Sequence, residues 1–178
     1  METASSIVSF ADKSLLKVAL VGNPNSGKST LFNALTGLNQ KTGNFPGVTV
    51  DKKTGDTMLN ERVRAHFIDL PGTYSLYPKS IDEKVAFEVL CNPDNEDYPD
   101  VTIVVADASN LKRSLFLASQ IIDLKVPVIL ALNMMDLVEK EGDVIDWVRL
   151  SERLGVKIVV ISARKKDGIN GIKTALTE

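Results

Sequence analysis

The chain has 178 residues, of which 44% are hydrophobic and 25% are charged, and its formal net charge is −2. This length and balance are typical of one globular domain, and they exclude a disordered tail, a collagen-like fibre and a coiled coil. The 21 basic residues do not outnumber the 23 acidic residues, so no nucleic-acid partner is expected.

The low content of cysteine and histidine limits the disulfides and metal sites that the chain can form. Cys91 is the only cysteine and His66 the only histidine, which excludes an internal disulfide and argues against a zinc site. Residues 1–14 are polar, lack the pattern of a secretory leader, and are predicted to be a flexible lead-in or linker before a single domain at residues 15–178. The apolar runs are far shorter than the ~18 residues of a membrane span, so this piece of chain is expected to be soluble in a reducing compartment.

From residue 15 onward, apolar strand-like segments alternate with helix-like segments. In chain order, the pattern predicts strands at residues 17–21, 50–58, 62–69, 101–106, 127–132 and 157–161, and helices at residues 28–38, 81–90, 111–124, 143–154 and 168–176. The stretch Leu59-Asn60-Glu61 predicts a hairpin connection between the second and third strands. The helix at 111–124 is expected to bury Leu111, Leu115, Ala118 and Ile122 on one face.

Continuous Val, Ile and Leu runs are typical of parallel strands that are buried on both faces. Their alternation with helices predicts a three-layer α/β fold. Ligands in such folds bind at the carboxyl ends of the strands, so chemistry is expected there. The stretch at 93–99, with Asp94, Glu96 and Asp97, is expected to be a solvated acidic loop.

The first strand end carries Gly22-Asn23-Pro24-Asn25-Ser26-Gly27-Lys28-Ser29, the G-x-x-x-x-G-K-S pattern of a P-loop. Glycine lets the backbone wrap around phosphate oxygens, and the amides that open the next helix donate to them. We expect the Lys28 ammonium to neutralise phosphate charge and the Ser29 hydroxyl to hold Mg²⁺. The predicted phosphate-binding residues are Asn23, Asn25, Ser26, Gly27, Lys28, Ser29 and Thr30. The loop itself does not distinguish ATP from GTP.

The third predicted strand ends in Asp69-Leu70-Pro71-Gly72. A carboxylate at the end of a buried strand beside a P-loop is placed to hold Mg²⁺. We therefore expect Asp69 to serve the metal ion, and the Gly72 amide to turn toward a γ-phosphate.

The fifth predicted strand is followed by Asn133-Met134-Met135-Asp136. A carboxylate accepts two hydrogen bonds from the N1 and N2 hydrogens of guanine, which adenine does not offer. Asp136 is therefore expected to select GTP, with Asn133 holding the loop and the base edge. Ser162-Ala163-Arg164, after the last strand, is expected to back the base with a backbone amide. The predicted base-side contacts are Asn133, Met134, Asp136, Ser162, Ala163 and Arg164.

The stretch between the first helix and the second strand, residues 39–49, contains two glycines and a proline and is predicted to be a mobile loop. A threonine there completes the Mg²⁺ shell while the γ-phosphate is present and releases it after hydrolysis. Thr49 is the preferred residue, and Thr42 is the alternative.

The motifs G-N-P-N-S-G-K-S, G-N-F-P-G-V-T, D-L-P-G-T-Y-S-L, N-M-M-D and S-A-R, in this order, resemble the G domain of the ferrous iron transport protein B family (FeoB). The likeness covers residues 16–176. The P-loop, D-x-P-G and N-x-x-D occur in many GTPases, whereas G-N-F-P-G-V-T and D-L-P-G-T-Y-S-L are far more particular to FeoB. The resemblance implies a P-loop GTPase (Ras-like) fold, with a mostly parallel central sheet and one antiparallel edge hairpin strand.

The resemblance also implies the setting of this domain. FeoB proteins are inner-membrane Fe²⁺ transporters, whose G domain is followed by a helical domain and a membrane part. The chain then corresponds to the G domain at the cytoplasmic face of the bacterial inner membrane. Its expected partners are a guanine nucleotide and the helical and membrane domains of the parent transporter. A further candidate partner is a second copy of the full-length protein.

Three positions bear on the rate of hydrolysis. By similarity, Asn25 matches the asparagine that helps to hold K⁺ in potassium-activated GTPases; the alternative is that it only shapes the loop. Met134 stands where most small GTPases have a lysine over the base, which implies weaker nucleotide affinity and faster GDP release. Thr73 stands where Ras-like proteins have the water-orienting glutamine, so slow intrinsic turnover is expected, with K⁺, switch amides or a partner supplying the missing stabilisation.

The leading interpretation is thus a Mg²⁺-dependent GTPase switch that converts GTP to GDP, in which Lys28, Thr49 and Gly72 act on the reacting phosphate. Ser29, Thr49 and Asp69 are the expected Mg²⁺ ligands, and Asn25 the K⁺ ligand. One alternative is a ribosome-assembly GTPase of the Era or Der type, although the basic RNA-binding domain of such proteins is not seen. The other is a module that senses GTP with negligible hydrolysis.

Overall fold

The computed structural model describes residues 15–178, in which strands and helices alternate along the chain. The strands are β1 (Leu15–Gly22), β2 (Gln40–Asn44), β3 (Asp51–Met58), β4 (Arg64–Asp69), β5 (Val101–Asp107), β6 (Val128–Asn133) and β7 (Lys157–Val160). The helices are α1 (Lys28–Thr36), α2 (Ile81–Cys91), α3 (Leu111–Asp123), α4 (Met135–Glu141), α5 (Trp147–Leu154) and α6 (Ile169–Ala175). The lead-in predicted for residues 1–14 lies outside the described residues.

All seven strands form one sheet in the order β2-β3-β4-β1-β5-β6-β7. Strands β4, β1, β5, β6 and β7 run parallel, whereas β3 is antiparallel to β4 and β2 is antiparallel to β3. The predicted fold class, a mostly parallel sheet with an antiparallel edge hairpin, is confirmed. Because β1 is central, its carboxyl end and those of β4, β5 and β6 meet at one edge of the sheet.

Both faces of the sheet are buried, as the continuous apolar strands predict. On one face, Leu16, Val18 and Leu20 of β1 belong to a core cluster with α1 and α6. On the other face, Ala19 and Val21 belong to a cluster that includes side chains of α2 and α3. The alternation of side chains along β1 therefore divides the molecule into three layers.

The prediction that the whole segment at 39–49 is a loop is wrong. Its residues 40–44 form the edge strand β2, which pairs with β3 from Gln40 opposite Gly55 to Asn44 opposite Asp51. All five residues of β2 are exposed. The strand was missed because an edge strand exposed on both faces shows no apolar alternation, and only the shorter stretch that follows β2 is a loop.

The helix predicted at 143–154 is also corrected. A separate helix, α4, ends at Glu141 and is capped by Gly142 in the left-handed conformation, and α5 begins only at Trp147. Asp146 caps α5 by accepting a hydrogen bond of 3.0 Å from the Arg149 amide. In α3, the fully buried residues are Ser114, Leu117, Ala118 and Ile121, so its buried face is rotated from the predicted one and shares only Ala118 with it.

The acidic loop at 93–99 is only partly solvated. Glu96 is exposed, but Asp97 is buried and its Oδ2 lies 2.5 Å from Lys52 Nζ of β3. A pattern of charges along a sequence does not show that a lysine from a neighbouring strand lies against one of them. Within residues 15–178, none of the helices combines the length and apolar character needed to cross a membrane.

Candidate functional site

The turn between β1 and α1 is held in shape by left-handed backbone at two positions. Gly27 has φ +91° and Asn25 has φ +66°, a conformation that glycine and, less readily, asparagine adopt. The Ser26 amide donates to the Asn23 carbonyl at 3.1 Å, and the Leu31 amide donates to the Gly27 carbonyl at 2.9 Å. The turn therefore delivers the first amides of α1, which have no acceptor within the helix, to the carboxyl edge of the sheet.

A cavity of about 770 Å³ opens over this turn, and we call it the main cavity. Its lining contains almost every residue predicted to contact a nucleotide: Asn23, Asn25, Gly27, Lys28, Ser29, Thr30, Asn133, Met134, Asp136, Ser162, Ala163 and Arg164. Ser26 is the exception, because it is buried beneath the turn. The structure thus brings together three motifs that are far apart in the sequence.

A second cavity of about 460 Å³, here called the side cavity, shares Lys28, Ser29 and Gly72 with the main cavity. Thr49 and Asp69 line the side cavity. Thr42, the alternative to Thr49, lies on the exposed edge strand β2 and lines neither cavity. Of the two candidate threonines for the metal site, the geometry therefore favours Thr49 over Thr42.

The two cavities meet at a compact polar cluster. The Lys28 ammonium forms an ion pair with Asp69 Oδ1, and the Ser29 hydroxyl donates to Asp69 Oδ2 at 3.0 Å. Lys28 is only 9% exposed and Asp69 only 7%, so removing either partner leaves a buried charge uncompensated. The Asp69 carboxylate, the Ser29 hydroxyl and Thr49 at the same cavity are an all-oxygen donor set, which fits a hard cation such as Mg²⁺.

At the other end of the main cavity, the buried Asn133 side chain joins two loops. Its Nδ2 donates to the Ser26 carbonyl at 3.0 Å, and its Oδ1 accepts from the Ala163 amide at 3.1 Å. Asn133 is 5% exposed. Because both polar atoms of its side chain bind the protein, Asn133 holds the P-loop against the segment after β7, and its amide group still has one N–H and one lone pair to offer to a ligand.

The side chain suited to recognition of a base edge is Asp136. It lies exposed in the first turn of α4, at the mouth of the main cavity, and has no hydrogen bond or ion pair within residues 15–178. Met134, with φ +66°, precedes the helix and directs the chain into it. A free carboxylate in this position offers two acceptor oxygens to a ligand in the cavity.

Thr73 is turned away from both cavities. It is buried, its hydroxyl donates to the Ser75 carbonyl at 2.7 Å, and its amide donates to the Gly22 carbonyl at 3.1 Å. The neighbouring Gly72 lies so close to the P-loop that an added Cβ would be 3.2 Å from the Pro24 ring. Both the hydroxyl and the amide of Thr73 therefore bind the protein, and Thr73 helps to hold Gly72 beside the P-loop.

Several cavity residues were missed from the sequence. Lys165 and Leu137 line the main cavity and directly follow predicted residues, so a longer window around each motif would have found them. Lys53 and Asp82 line the side cavity. Lys53 stands opposite Asp69 in the antiparallel pair of β3 and β4, a position that only the strand register gives.

Comparison with known proteins agrees with this geometry. The family model described as ferrous iron transport protein B matches residues 16–176. The Fe(2+) transporter FeoB of Leptospira biflexa is 47% identical over 161 residues, which is 90% of this chain and 23% of that protein. The chain thus spans less than a quarter of the length of this curated relative.

Solved structures show the same likeness. The G domain of the T. maritima FeoB iron transporter is 42% identical, with a TM-score of 0.82, over 91% of this chain and 96% of that one. The cytosolic domain of the same transporter is also 42% identical. Its GDP form has a TM-score of 0.84 over 91% of this chain and 62% of that one. Its GMPPNP form has a TM-score of 0.83 over 90% of this chain and 62% of that one.

Proposed function

The chain belongs to the ferrous iron transport protein B family, and from this premise we propose that it is a Mg²⁺-dependent switch domain that binds GTP and hydrolyses it to GDP. The observation that carries the proposal is the cluster of Lys28, Ser29 and Asp69 at the junction of the two cavities. A cation, a hydroxyl and a carboxylate at a helix N-terminus are the parts that a nucleoside triphosphate with its metal ion requires.

The nucleotide would lie along the main cavity, with its phosphates on the P-loop and its base at Asp136. Guanine offers the Asp136 carboxylate two donors, whereas adenine would leave it unpaired. The remaining wall around the base would be formed by Met134, Ser162, Ala163 and Arg164, which line the same cavity. The GDP and GMPPNP forms of the T. maritima cytosolic domain support this class of ligand.

Ser29, Asp69 and Thr49 would hold the metal ion beside the side cavity. Mg²⁺ there supplies charge that offsets the phosphates of the bound nucleotide. Before Asp69 can bind the metal ion, the Lys28 ammonium must leave Asp69 and pair with a phosphate oxygen instead. The Gly72 amide would then serve the γ-phosphate, and Thr49 would report its presence.

We expect turnover to be slow, because Thr73 is buried and its hydroxyl is already donated to Ser75. Asn25 lies exposed at the main cavity, where its side-chain carbonyl is free to ligate a monovalent cation beside the phosphates. This placement supports K⁺ as an activator. In the parent protein, the domain would lie at the cytoplasmic face of the bacterial inner membrane, where its nucleotide state would regulate Fe²⁺ passage through the helical and membrane domains.

The test is steady-state phosphate release from GTP and from ATP, with Mg²⁺ or with EDTA, in KCl against matched NaCl. We expect phosphate release from GTP only, and we expect this release to require Mg²⁺ and to be accelerated by K⁺. Asn25→Ala should abolish the acceleration by K⁺. The control Asn170→Ala, on the exposed surface of α6, should retain it.

Three other outcomes have distinct meanings. Equal turnover of ATP would contradict the role of Asp136. Equal rates in KCl and NaCl would contradict the role of Asn25. Binding of GTP with no release under any condition would favour the sensing module over the enzyme.

A further inference from the structure

The loop that carries Thr49 is closed on itself. The Phe45 amide donates to the Val50 carbonyl at 2.9 Å, and the Val48 amide donates to the Phe45 carbonyl at 3.3 Å. Gly47, with φ +75°, makes the turn between them. Thr49 itself is exposed at the side cavity, so its position depends on what holds the two ends of this loop.

The first end is held by an aromatic side chain. Phe45 is 4% exposed and belongs to the same core cluster as Val85 and Val89 of α2. The loop is therefore seated on α2 and does not extend freely into solvent.

The second end is held by charge. Lys52 follows the loop in β3, and its Nζ lies 2.5 Å from Asp97 Oδ2 and 3.7 Å from Glu96 Oε1. The same Nζ lies 5.7 Å from the centre of the Phe45 ring, within the range of a cation–π contact. The Lys52 side chain is 19% exposed and that of Asp97 9%. One ammonium thus contacts both the aromatic anchor and the segment between α2 and β5.

We propose that Phe45, Lys52 and Asp97 form a latch that positions Thr49 for the triphosphate-bound state of the site. This inference rests on the proposed function. Thr49 serves only when a γ-phosphate and its metal ion are present, so a loosened latch weakens the binding of a triphosphate and leaves the binding of GDP as it is. The three are positioning residues, since none of them lines the main or the side cavity.

The neighbouring lysine cannot replace Lys52. Successive side chains of a strand point to opposite faces of the sheet, so Lys53 stands on the side of Asp69 whereas Lys52 stands on the side of Asp97. Removing either member of the Lys52–Asp97 pair leaves a charge with little access to water, and the segment that carries it must shift to become hydrated.

The experiment measures the affinity of Lys52→Ala and Asp97→Asn for GMPPNP with Mg²⁺ and for GDP, together with kcat and KM for GTP. We expect each variant to lose about tenfold in the affinity for GMPPNP relative to GDP, a coupling of ordinary size between linked sites. Lys52→Arg should behave as the wild type. The charge-swapped pair Lys52→Asp with Asp97→Lys should recover only part of the loss, because it restores the ion pair but places no cation near the Phe45 ring. The control Lys41→Ala, on the exposed strand β2, should change nothing.

A relative affinity within twofold of the wild type in both single variants would overturn the latch. If Lys52→Ala does not fold, Asp97→Asn decides: a selective loss of GMPPNP affinity supports the latch, and a relative affinity within twofold of the wild type overturns it. Failure of the wild-type chain to bind either nucleotide would overturn the proposed function as well, which separates the two conclusions.

Discussion

At one end of the main cavity, the Asn133 side chain binds the protein with both of its polar atoms, whereas at the other end Lys28 and Ser29 share the carboxylate that a metal ion would need. The first end, where the base is proposed to bind, is here called the base end, and its loops are already tied together by buried hydrogen bonds. The second end, where the metal ion is proposed to bind, is here called the metal end, and Lys28 and Ser29 would have to release Asp69 before that carboxylate could hold an ion. We therefore expect the base end to set which nucleotide binds, and the metal end to carry the switch.

The largest effect should come from removing the charge at the metal end. Lys28→Ala deletes the ammonium that faces both Asp69 and the proposed phosphates, so GTP turnover should fall by about 10²- to 10³-fold, as measured by phosphate release. The matched control is Lys165→Ala, which removes an exposed lysine from the far wall of the same cavity and should cost much less. Similar losses in the two variants would mean that Lys28 acts only through the net charge of the cavity.

The next effect tests the base end. Asp136→Asn removes one acceptor oxygen of the proposed bidentate contact, so GTP affinity should fall by about 10- to 100-fold. Affinity for the xanthosine nucleotide should rise, because the asparagine amide can donate to the carbonyl that replaces the guanine amino group. Competition binding measures both changes, with Asp143→Asn on the exposed segment after α4 as the control. An unchanged preference between the two bases would remove Asp136 from the proposed base site.

A smaller effect tests whether the contact between Gly27 and the Asn133 side chain keeps the nucleotide site in shape. In Gly27→Ala, the new Cβ would overlap the Asn133 side-chain nitrogen, whereas in Gly142→Ala nothing lies within 4 Å of the new Cβ. Both residues have positive φ, so both variants should lose about 1–2 kcal/mol of stability from backbone strain. Only Gly27→Ala should also lose nucleotide affinity. Thermal melts and nucleotide titrations measure the two effects, and equal affinities would show that the Asn133 contact does not support the site.

The smallest effect lies outside the site. Burial raises the pKa of the Cys91 thiol, and the nearby Glu88 carboxylate raises it further. A raised pKa in the folded state contributes stability that is fully present below the ordinary thiol pKa and is lost as the pH rises through the folded value. The urea midpoint should therefore fall more between about pH 8 and about pH 10 in the wild type than in Cys91→Ser. Equal falls would assign the alkaline loss to other groups.

Much of this site could be predicted from the sequence, because phosphate, metal and base recognition each demand particular residue types at strand ends. That is why the sequence alone places Lys28, Asp69 and Asp136 at one edge of the sheet. The two hydrogen bonds of the Asn133 side chain could not be predicted from the sequence, because they depend on how two loops meet in the folded chain. Strand β2 was missed because its polar, exposed residues carry no periodic signal.

The pairing of Lys52 with Asp97 was missed for a related reason. A charge run predicts a solvated loop unless the sheet register brings an opposite charge to it, and register is set by tertiary pairing. Helix α4 was not predicted because its seven residues are too few to show a clear helical period, and the first of them belong to the motif Asn133-Met134-Met135-Asp136.

The most direct test of the account is amide hydrogen exchange of the chain with GDP and with GMPPNP and Mg²⁺. Protection around Ala163 and Ser26 should be the same with both nucleotides, whereas residues 45–50 should gain protection only with the triphosphate analogue and the metal ion. Equal protection of residues 45–50 with both nucleotides, together with a change around Ala163, would contradict the account, because the base end would then be the part that moves.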